Sequence, residues 1–278
     1  MDLTTPQQDP TPEYTSGPRA HGLRLRQSAP IRRGPPPFEL PILSHLKSHR
    51  TILASASPRR KALLSQIGLP DIEIIPSTRP EDVSKTTHAP HEYVAATARQ
   101  KCLHVYETTL RANESSSEEE KKEDPAVVIA ADTIIVTRAG MILEKPRSEE
   151  DHRKMLRHLR DTEYHLVLTS VCVLAPKADA SHPGYEIAAV TEETKVYFAR
   201  EADGLGDEVI DAYVAMREGA DKAGGYAVQG VGGMMLVERI EGPVDNVVGL
   251  PVRKCLRLCE KVCFMQGEEE VGSGSDAE

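Results

Sequence analysis

Residues 126–136 read Ala-Val-Val-Ile-Ala-Ala-Asp-Thr-Ile-Ile-Val, and no other segment so narrows what this chain can fold into. The run is β-branched and apolar apart from Asp132 and Thr133, and it lies between Pro125 and a Thr-Arg-Ala-Gly turn at residues 137–140. That pattern predicts a central strand covered on both faces. A carboxylate left alone in such a place is strongly disfavoured or loses its charge. Asp132 therefore calls for a metal ion, a basic side chain or a strand end open to solvent. A purely structural Asp at a strand terminus is the alternative.

Composition divides the chain. Residues 1–48 are rich in Pro, Gln, Arg and Gly, residues 113–125 are Ser, Glu and Lys, and residues 267–278 are Gly, Ser and acid. None buries enough apolar surface to offset its ordering entropy, so the sequence predicts a disordered arm, a disordered insert and a disordered tail. The predicted folded domain is 49–265, with the tail from 266. The insert and the tail together carry a charge equal to the whole formal −9, and the arm is +2, which leaves the body at −2. A nearly neutral body is open to an anion site. It has no basic face of the kind a nucleic-acid binder shows, so no nucleic-acid partner is expected.

The five cysteines have no zinc-type spacing. Cys255, Cys259 and Cys263 fall on one stripe of a predicted last helix, and a packed apolar face is the expected reading. An odd thiol count and no recognisable secretory leader point to a reducing, cytoplasmic setting. No apolar run reaches membrane-span length, so no membrane partner is expected.

Along the body, helical and strand patterns alternate. Strands are predicted at 51–54, 72–75, 126–136, 165–174, 185–198 and 234–240, with 141–144 returning as a hairpin partner of the Asp132 strand. Helices are predicted at 58–67, 91–110, 207–217 and from 251. A Ser-x-x-Asp capping box at Ser148 starts another. The fold class is α/β with a mixed sheet.

Three constellations carry chemistry. The first is Ser55-Ala56-Ser57-Pro58-Arg59-Arg60, a small-residue turn into a helix N-terminus. Free N–H groups and the helix dipole favour an anion there, and two guanidinium forks suit phosphate oxygens. Two solvated surface arginines are the alternative. The second is basic: Lys101 on the helix before the insert, and Lys145 just after the 141–144 strand, which hairpin pairing brings toward Asp132. The third is Asp221-Lys222-Ala223-Gly224-Gly225-Tyr226-Ala227-Val228-Gln229-Gly230, whose glycines permit close backbone approach to a ligand. Glu81 and Asp82 form a carboxylate pair in a loop. Hard carboxylate oxygens from Asp132 with Glu81 or Asp82 suit a divalent ion such as Mg²⁺.

These motifs, in this order, resemble the Maf family of nucleoside triphosphate pyrophosphatases. The opening Ser-Ala-Ser-Pro-Arg-Arg, Asp132-Thr133, Lys145-Pro146, the Asp221–Gly230 motif and Asn246-Val247-Val248-Gly249-Leu250-Pro251 all carry the likeness, across about residues 51–262. The resemblance implies an elongated α/β fold similar to the inosine triphosphatases, with two lobes and a central cleft. It implies hydrolysis of a nucleoside triphosphate to monophosphate and diphosphate with a divalent metal, Mg or Mn, and a tendency toward homodimers. By motif position, Asp132 is similar to the family's acceptor of the water proton, and Glu81 to its loop acid; the two are the implied metal ligands, and Glu81 and Asp82 are interchangeable in that role. Arg59, Thr133 and Gln229 fall where base specificity is set and resemble the branch acting on dTTP and UTP. Ser55, Arg60, Lys101 and Lys145 are similar to phosphate or nucleotide contacts. Gly225 stands where Ala is usual, and Thr169-Ser170 replaces Thr-Gly. The alternatives are a purine or 7-methyl-GTP pyrophosphatase, and a non-catalytic nucleotide-binding regulator of cell division.

Overall fold

The computed structural model describes residues 38–80, 83–84, 87–117, 121–177, 179 and 184–267. One mixed sheet organises all of them. Its strands are β1 (Thr51–Leu53), β2 (Glu73–Ile74), β3 (Val127–Thr137), β4 (Ile142–Leu143), β5 (His165–Pro176), β6 (Tyr185–Phe198) and β7 (Val237–Glu241). They lie in the order β2-β1-β3-β5-β6-β7, with β4 also on β3. The β1–β2 and β1–β3 pairs are parallel, and the remaining pairs are antiparallel.

The two edges of β3 differ, and the difference makes the site. One edge pairs with β5 without a break from Val128 to Thr137. The other is shared. There β1 covers Val127–Ile129 and β4 covers Ile135–Val136. Among the described residues no strand pairs with 130–134 on that side. Asp132 therefore sits beside a gap in the sheet at mid-strand, not at a strand end.

Side-chain alternation along β3 sends successive residues to opposite faces. Val128 and Ala130 meet Ala98, Cys102 and Val105 of α3 (Pro90–Ser115), and Ile134 and Val136 meet Tyr93 and Val94 of the same helix. Asp132 belongs to this series and faces α3. Val127, Ile129 and Ala131 pack on the opposite face, against Cys255 and Cys259 of the final helix and its neighbours. Ile135 joins a separate cluster with Leu156, Tyr213 and Tyr226. On the α3 face the same helix covers the whole strand, whereas on the other face the core changes partners between Ala131 and Ile135.

The remaining helices are α1 (Pro41–Ser48), α2 (Pro58–Gln66), α4 (Glu149–Asp161), α5 (Asp207–Met216), α6 (Val231–Met235), α7 (Val244–Val248) and α8 (Val252–Phe264). Half of the capping box at α4 forms, with Ser148 Oγ accepting from Asp151 N–H at 3.1 Å, while the Asp151 carboxylate accepts instead from Arg147 N–H at 2.8 Å. The cysteine stripe of α8 is packed, with Cys255 and Cys259 buried. None of the helices is long and apolar enough to cross a membrane, among the described residues.

Three sequence expectations need correction. The arm was expected to be disordered through residue 48, yet residues 41–48 form α1. Pro41 starts that helix at its first turn, where a missing N–H costs nothing. Ile42, Leu43 and Leu46 bury one side of it against the α8 cluster. Residues 1–37 lie outside the described residues. The insert was expected to begin at 113, but α3 runs to Ser115. Buried Asn113 there donates to Lys122 O (2.9 Å) and Asp124 Oδ1 (2.8 Å), tying the two ends of the insert together. Residues 118–120, and the tail from 268, lie outside the described residues. The expected strand at 234–240 is α6 followed by β7. If α1 is part of the fold, Leu43→Ala lowers unfolding free energy by about 3 kcal/mol. A urea midpoint equal to that of the parent protein would return α1 to the arm.

Candidate active site

A cleft of about 1000 Å³ opens at the gap in β3. Six basic side chains and four acidic ones line it, and Ser55, Thr133 and Gln229 are in its wall.

Asp132 is 9% exposed, and its partner is the Lys101 ammonium, with Nζ donating to Oδ1 at 2.7 Å. The bond joins β3 to α3. Lys101 lies on the flank of α3, one turn from the buried Thr97 and Val105, so its stem runs along the helix and its head reaches the cleft. Of the partners that a carboxylate in an apolar strand calls for, the fold itself supplies a basic side chain. Sequence had set Lys145, not Lys101, beside Asp132. Lys145 follows β4 and is exposed in the cleft wall.

The small-residue turn leads from β1 into α2. Ser55 Oγ accepts from Ser57 N–H at 3.3 Å, whereas Ser57, the N-cap residue, makes no side-chain cap bond. Arg60 reaches away from the helix to hold three acceptors. Its Nη1 donates to Ser55 Oγ (2.9 Å), Nη2 to Thr133 Oγ1 (2.9 Å), and Nε to the Gly249 carbonyl (2.8 Å). A chain of polar contacts continues from Thr133. Its Oγ1 lies 3.0 Å from Thr169 Oγ1, and Thr169 Oγ1 donates to Asn246 O at 3.0 Å. Buried Asn246 then donates to Val167 O and to Thr194 Oγ1, both at 3.0 Å. Thr133 is thereby locked into the sheet as well as exposed to the cleft.

Arg59 differs from its neighbour. Its Nε is buried without a hydrogen-bond partner. Desolvation holds its pKa below the usual arginine value, against the favourable charge of Asp221 and the Tyr213 oxygen. An arginine with a buried, unanswered N–H facing a cleft has donor capacity for an anion.

The glycine-rich motif forms a further part of the cleft wall, with Asp221 near Arg59 of α2. Gly224 and Gly225 have φ of +71° and +76°, and Gly225 O accepts from His152 Nε2 at 2.5 Å. A carbonyl only accepts, so the His152 ring carries its proton on Nε2. A Cβ on Gly225 would lie 2.6 Å from His152 Cδ2, which accounts for glycine here. Lys222 holds Glu218 O and Asp221 Oδ1, each at 2.5 Å. Its ammonium is the first cause of the lowered Asp221 pKa. Gln229 is exposed at the tip of the following loop and lines the cleft.

Seven of the expected site residues therefore share one cleft with Asp132: Ser55, Arg59, Arg60, Lys101, Thr133, Lys145 and Gln229. Glu81, like Asp82, lies outside the described residues. Sequence reading assigned no site role to Glu218, Tyr213 or His152, and marked Thr169 only as part of a departure from the family's Thr-Gly. Glu218 looks like part of a solvated Arg-Glu-Gly turn; its nearness to the Asp221 motif is the one signal available.

A family model described as Maf-like protein matches residues 50–262, most of the chain. The chain belongs to the Maf family. A dTTP/UTP pyrophosphatase of Schizosaccharomyces pombe is 44% identical over 227 residues, spanning 81% of this chain and 88% of that protein. A dTTP/UTP pyrophosphatase of Anaeromyxobacter dehalogenans strain 2CP-1 is 42% identical over 215 residues, 77% of this chain and 95% of its own length. Among solved structures, a nucleoside-triphosphatase / dITP/XTP pyrophosphatase from Mycobacterium abscessus aligns with 54% of this chain and 74% of its own. Its identity is 16% and its TM-score 0.31. The matched span of the Maf chain begins at the residue before β1 and ends within α8. It contains every element that lines the cleft, while α1 lies outside it.

Proposed function

We propose that this chain hydrolyses dTTP, UTP and modified pyrimidine nucleotides to the monophosphate and diphosphate, an activity that cleans the nucleotide pool. The observation that carries the reading is the Asp132 carboxylate, held at 2.7 Å by Lys101, in a cleft where basic side chains outnumber acidic ones. The family membership and the activities named for its relatives support the choice of reaction and substrate.

In this reading, water attacks the α-phosphorus and Asp132 accepts its proton. A new P–O bond forms, the bond from the α-phosphorus to the bridging oxygen breaks, and the diphosphate leaves with the electron pair. Lys101 orients the Asp132 carboxylate through a charge-assisted bond. Arg59, Lys145 and the N–H groups at the start of α2 bind the polyphosphate. Arg60, which holds Ser55 Oγ, Thr133 Oγ1 and the Gly249 carbonyl, lines the same cleft beside the phosphate path. Arg59, Thr133 and Gln229 discriminate the base.

A divalent ion, Mg²⁺ or Mn²⁺, belongs to the proposal. Among the described residues no group of three His, Cys, Asp or Glu stands ready to hold one. That donor set fits an ion that arrives on the nucleotide and needs only one or two protein carboxylates beside phosphate oxygens. Asp132 is one, and Glu81 is the proposed second. Bound there, the ion would neutralise charge on the phosphate and leaving group. A cytoplasmic setting, a homodimer and the absence of a nucleic-acid partner also belong to this reading; the free state of all five thiols agrees with a reducing compartment.

The test is diphosphate release with Mg²⁺ from dTTP, UTP, 5-methyl-UTP, GTP and 7-methyl-GTP in parallel. The expected result is a preference for dTTP and UTP of about 100-fold in kcat/KM. Preference for the guanosine nucleotides would keep the enzyme and overturn the pyrimidine assignment. Binding without release from any nucleotide would make the protein a regulator instead.

A further inference from the structure

The loop that carries Gln229 is fastened at both ends by side chains from outside it. On the near side, Ala227 N–H donates to the Tyr213 hydroxyl oxygen at 3.1 Å. On the far side, Val231 and Gly232 N–H donate to the two oxygens of the Glu218 carboxylate, at 3.0 and 2.9 Å. The Tyr213 hydroxyl in turn bonds to Glu218, so the two anchors are one unit. Tyr213 is a buried residue of α5, in the core shared with α4 and Ile135 of β3. The unit therefore ties the loop to a fixed element.

The fit is close enough to exclude other side chains. A Cβ on Gly230 would overlap Glu218 Oε1, and one on Gly232 would lie 2.7 Å from Tyr213 Oη. Partial burial acts to raise the Glu218 pKa. The Gly232 N–H, the Tyr213 hydroxyl and the Val231 N–H outweigh it, and the group is held below the ordinary glutamate value. A depressed folded pKa means that this bonding is present above the unfolded value and is lost as pH falls through the folded one.

We propose that Glu218, through Tyr213, is a positioning residue for substrate selection: it fixes the loop so that Gln229 meets the base at a set depth in the cleft. The inference rests on the pyrimidine triphosphatase reading above. It adds two residues that act on the base through the loop, Glu218 from the cleft lining and Tyr213 from the core. A bidentate carboxylate suits the task because two adjacent backbone N–H groups need two acceptors. Glutamine offers one, and turns an N–H toward the other donor.

The experiment compares Glu218→Gln, Tyr213→Phe, Gln229→Ala and the Glu218→Gln/Gln229→Ala pair. It reads kcat/KM for dTTP and for GTP, and amide exchange at Val231 and Gly232. The expected result for Glu218→Gln is faster exchange at both amides and a roughly tenfold fall in the dTTP-to-GTP ratio. Tyr213→Phe should narrow the ratio in the same direction. In the Gln229→Ala background, Glu218→Gln should leave the ratio where it was, because the residue through which it acts is gone. A purely structural role would lower both nucleotides alike in either background. Turnover of dTTP by the parent protein with an unchanged ratio in Glu218→Gln overturns the positioning role alone. Absence of any dTTP or UTP turnover in the parent overturns the pyrophosphatase reading, and the selectivity role with it.

Discussion

Asp132→Asn is expected to lower kcat for diphosphate release by about 10³-fold and to leave the protein folded. The geometry separates these two effects. Asparagine keeps an oxygen at the position of Oδ1, so Lys101 Nζ retains an acceptor at the 2.7 Å contact. What is lost is the charge of that bond and the capacity to take a proton. The ammonium loses the Asp132 charge but lies at a cleft open to solvent, its side chain 18% exposed. The stability change should therefore stay within about 1 kcal/mol. Single-turnover rates with dTTP, and urea midpoints on the same preparations, check both halves. Normal turnover in the variant would remove Asp132 from the mechanism. Lost turnover together with collapsed stability would make it a structural acid, the alternative the sequence left open.

The same residue shows how far the sequence could be read. An acid in an apolar, β-branched run is legible because its placement conflicts with desolvation, so something must compensate. The kind of compensation was legible; the particular partner was not. Lys101 is 31 positions away on a helix whose inner stripe is plain from its apolar spacing. Which flank of that helix faces β3 depends on packing that no local pattern encodes. The gap between β1 and β4 was hidden for a related reason. It arises because two short strands share one edge of β3 and leave its middle unpaired, and a strand's own residues do not record where its neighbours stop. The α1 helix was missed because a helix-starting Pro41 follows a proline-rich stretch and looks like more of it. The strand expected at 234–240 failed at its first half, since Met and Leu suit a short helix as well as a strand. Motif order was the stronger guide: residues distant in the chain and weak one at a time were placed in one cleft by the family likeness.

At Arg60 the structure adds a second role to the expected one, and the two can be told apart. The guanidinium fork at a helix N-terminus and the family likeness made it a phosphate or nucleotide contact. Its guanidinium in fact bridges three parts of the fold: the β1–α2 turn at Ser55, the β3 strand at Thr133, and the closing loop at Gly249. Gly249 has φ of +124°, and its carbonyl is one of the three acceptors. Replacement by methionine preserves much of the stem but removes every donor. It removes the Arg60 donors from Gly249 O and from Ser55 Oγ, which keeps only the 3.3 Å bond from Ser57 N–H, and frees Thr133 at one end of the polar chain that runs to Thr194. The expected cost is about 3 kcal/mol in unfolding free energy, with a fall in kcat/KM of about 100-fold. Lysine decides between the two roles. It keeps the positive charge but is a single point on a flexible stem, and it does not reach three acceptors in different directions. If Arg60 acts chiefly as a phosphate contact, Arg60→Lys should restore most of the affinity for dTTP, and neither variant should move the urea midpoint much. If it acts as the clamp drawn here, Arg60→Lys should stay close to Arg60→Met in both stability and turnover, because the part that matters is the fork and not the charge.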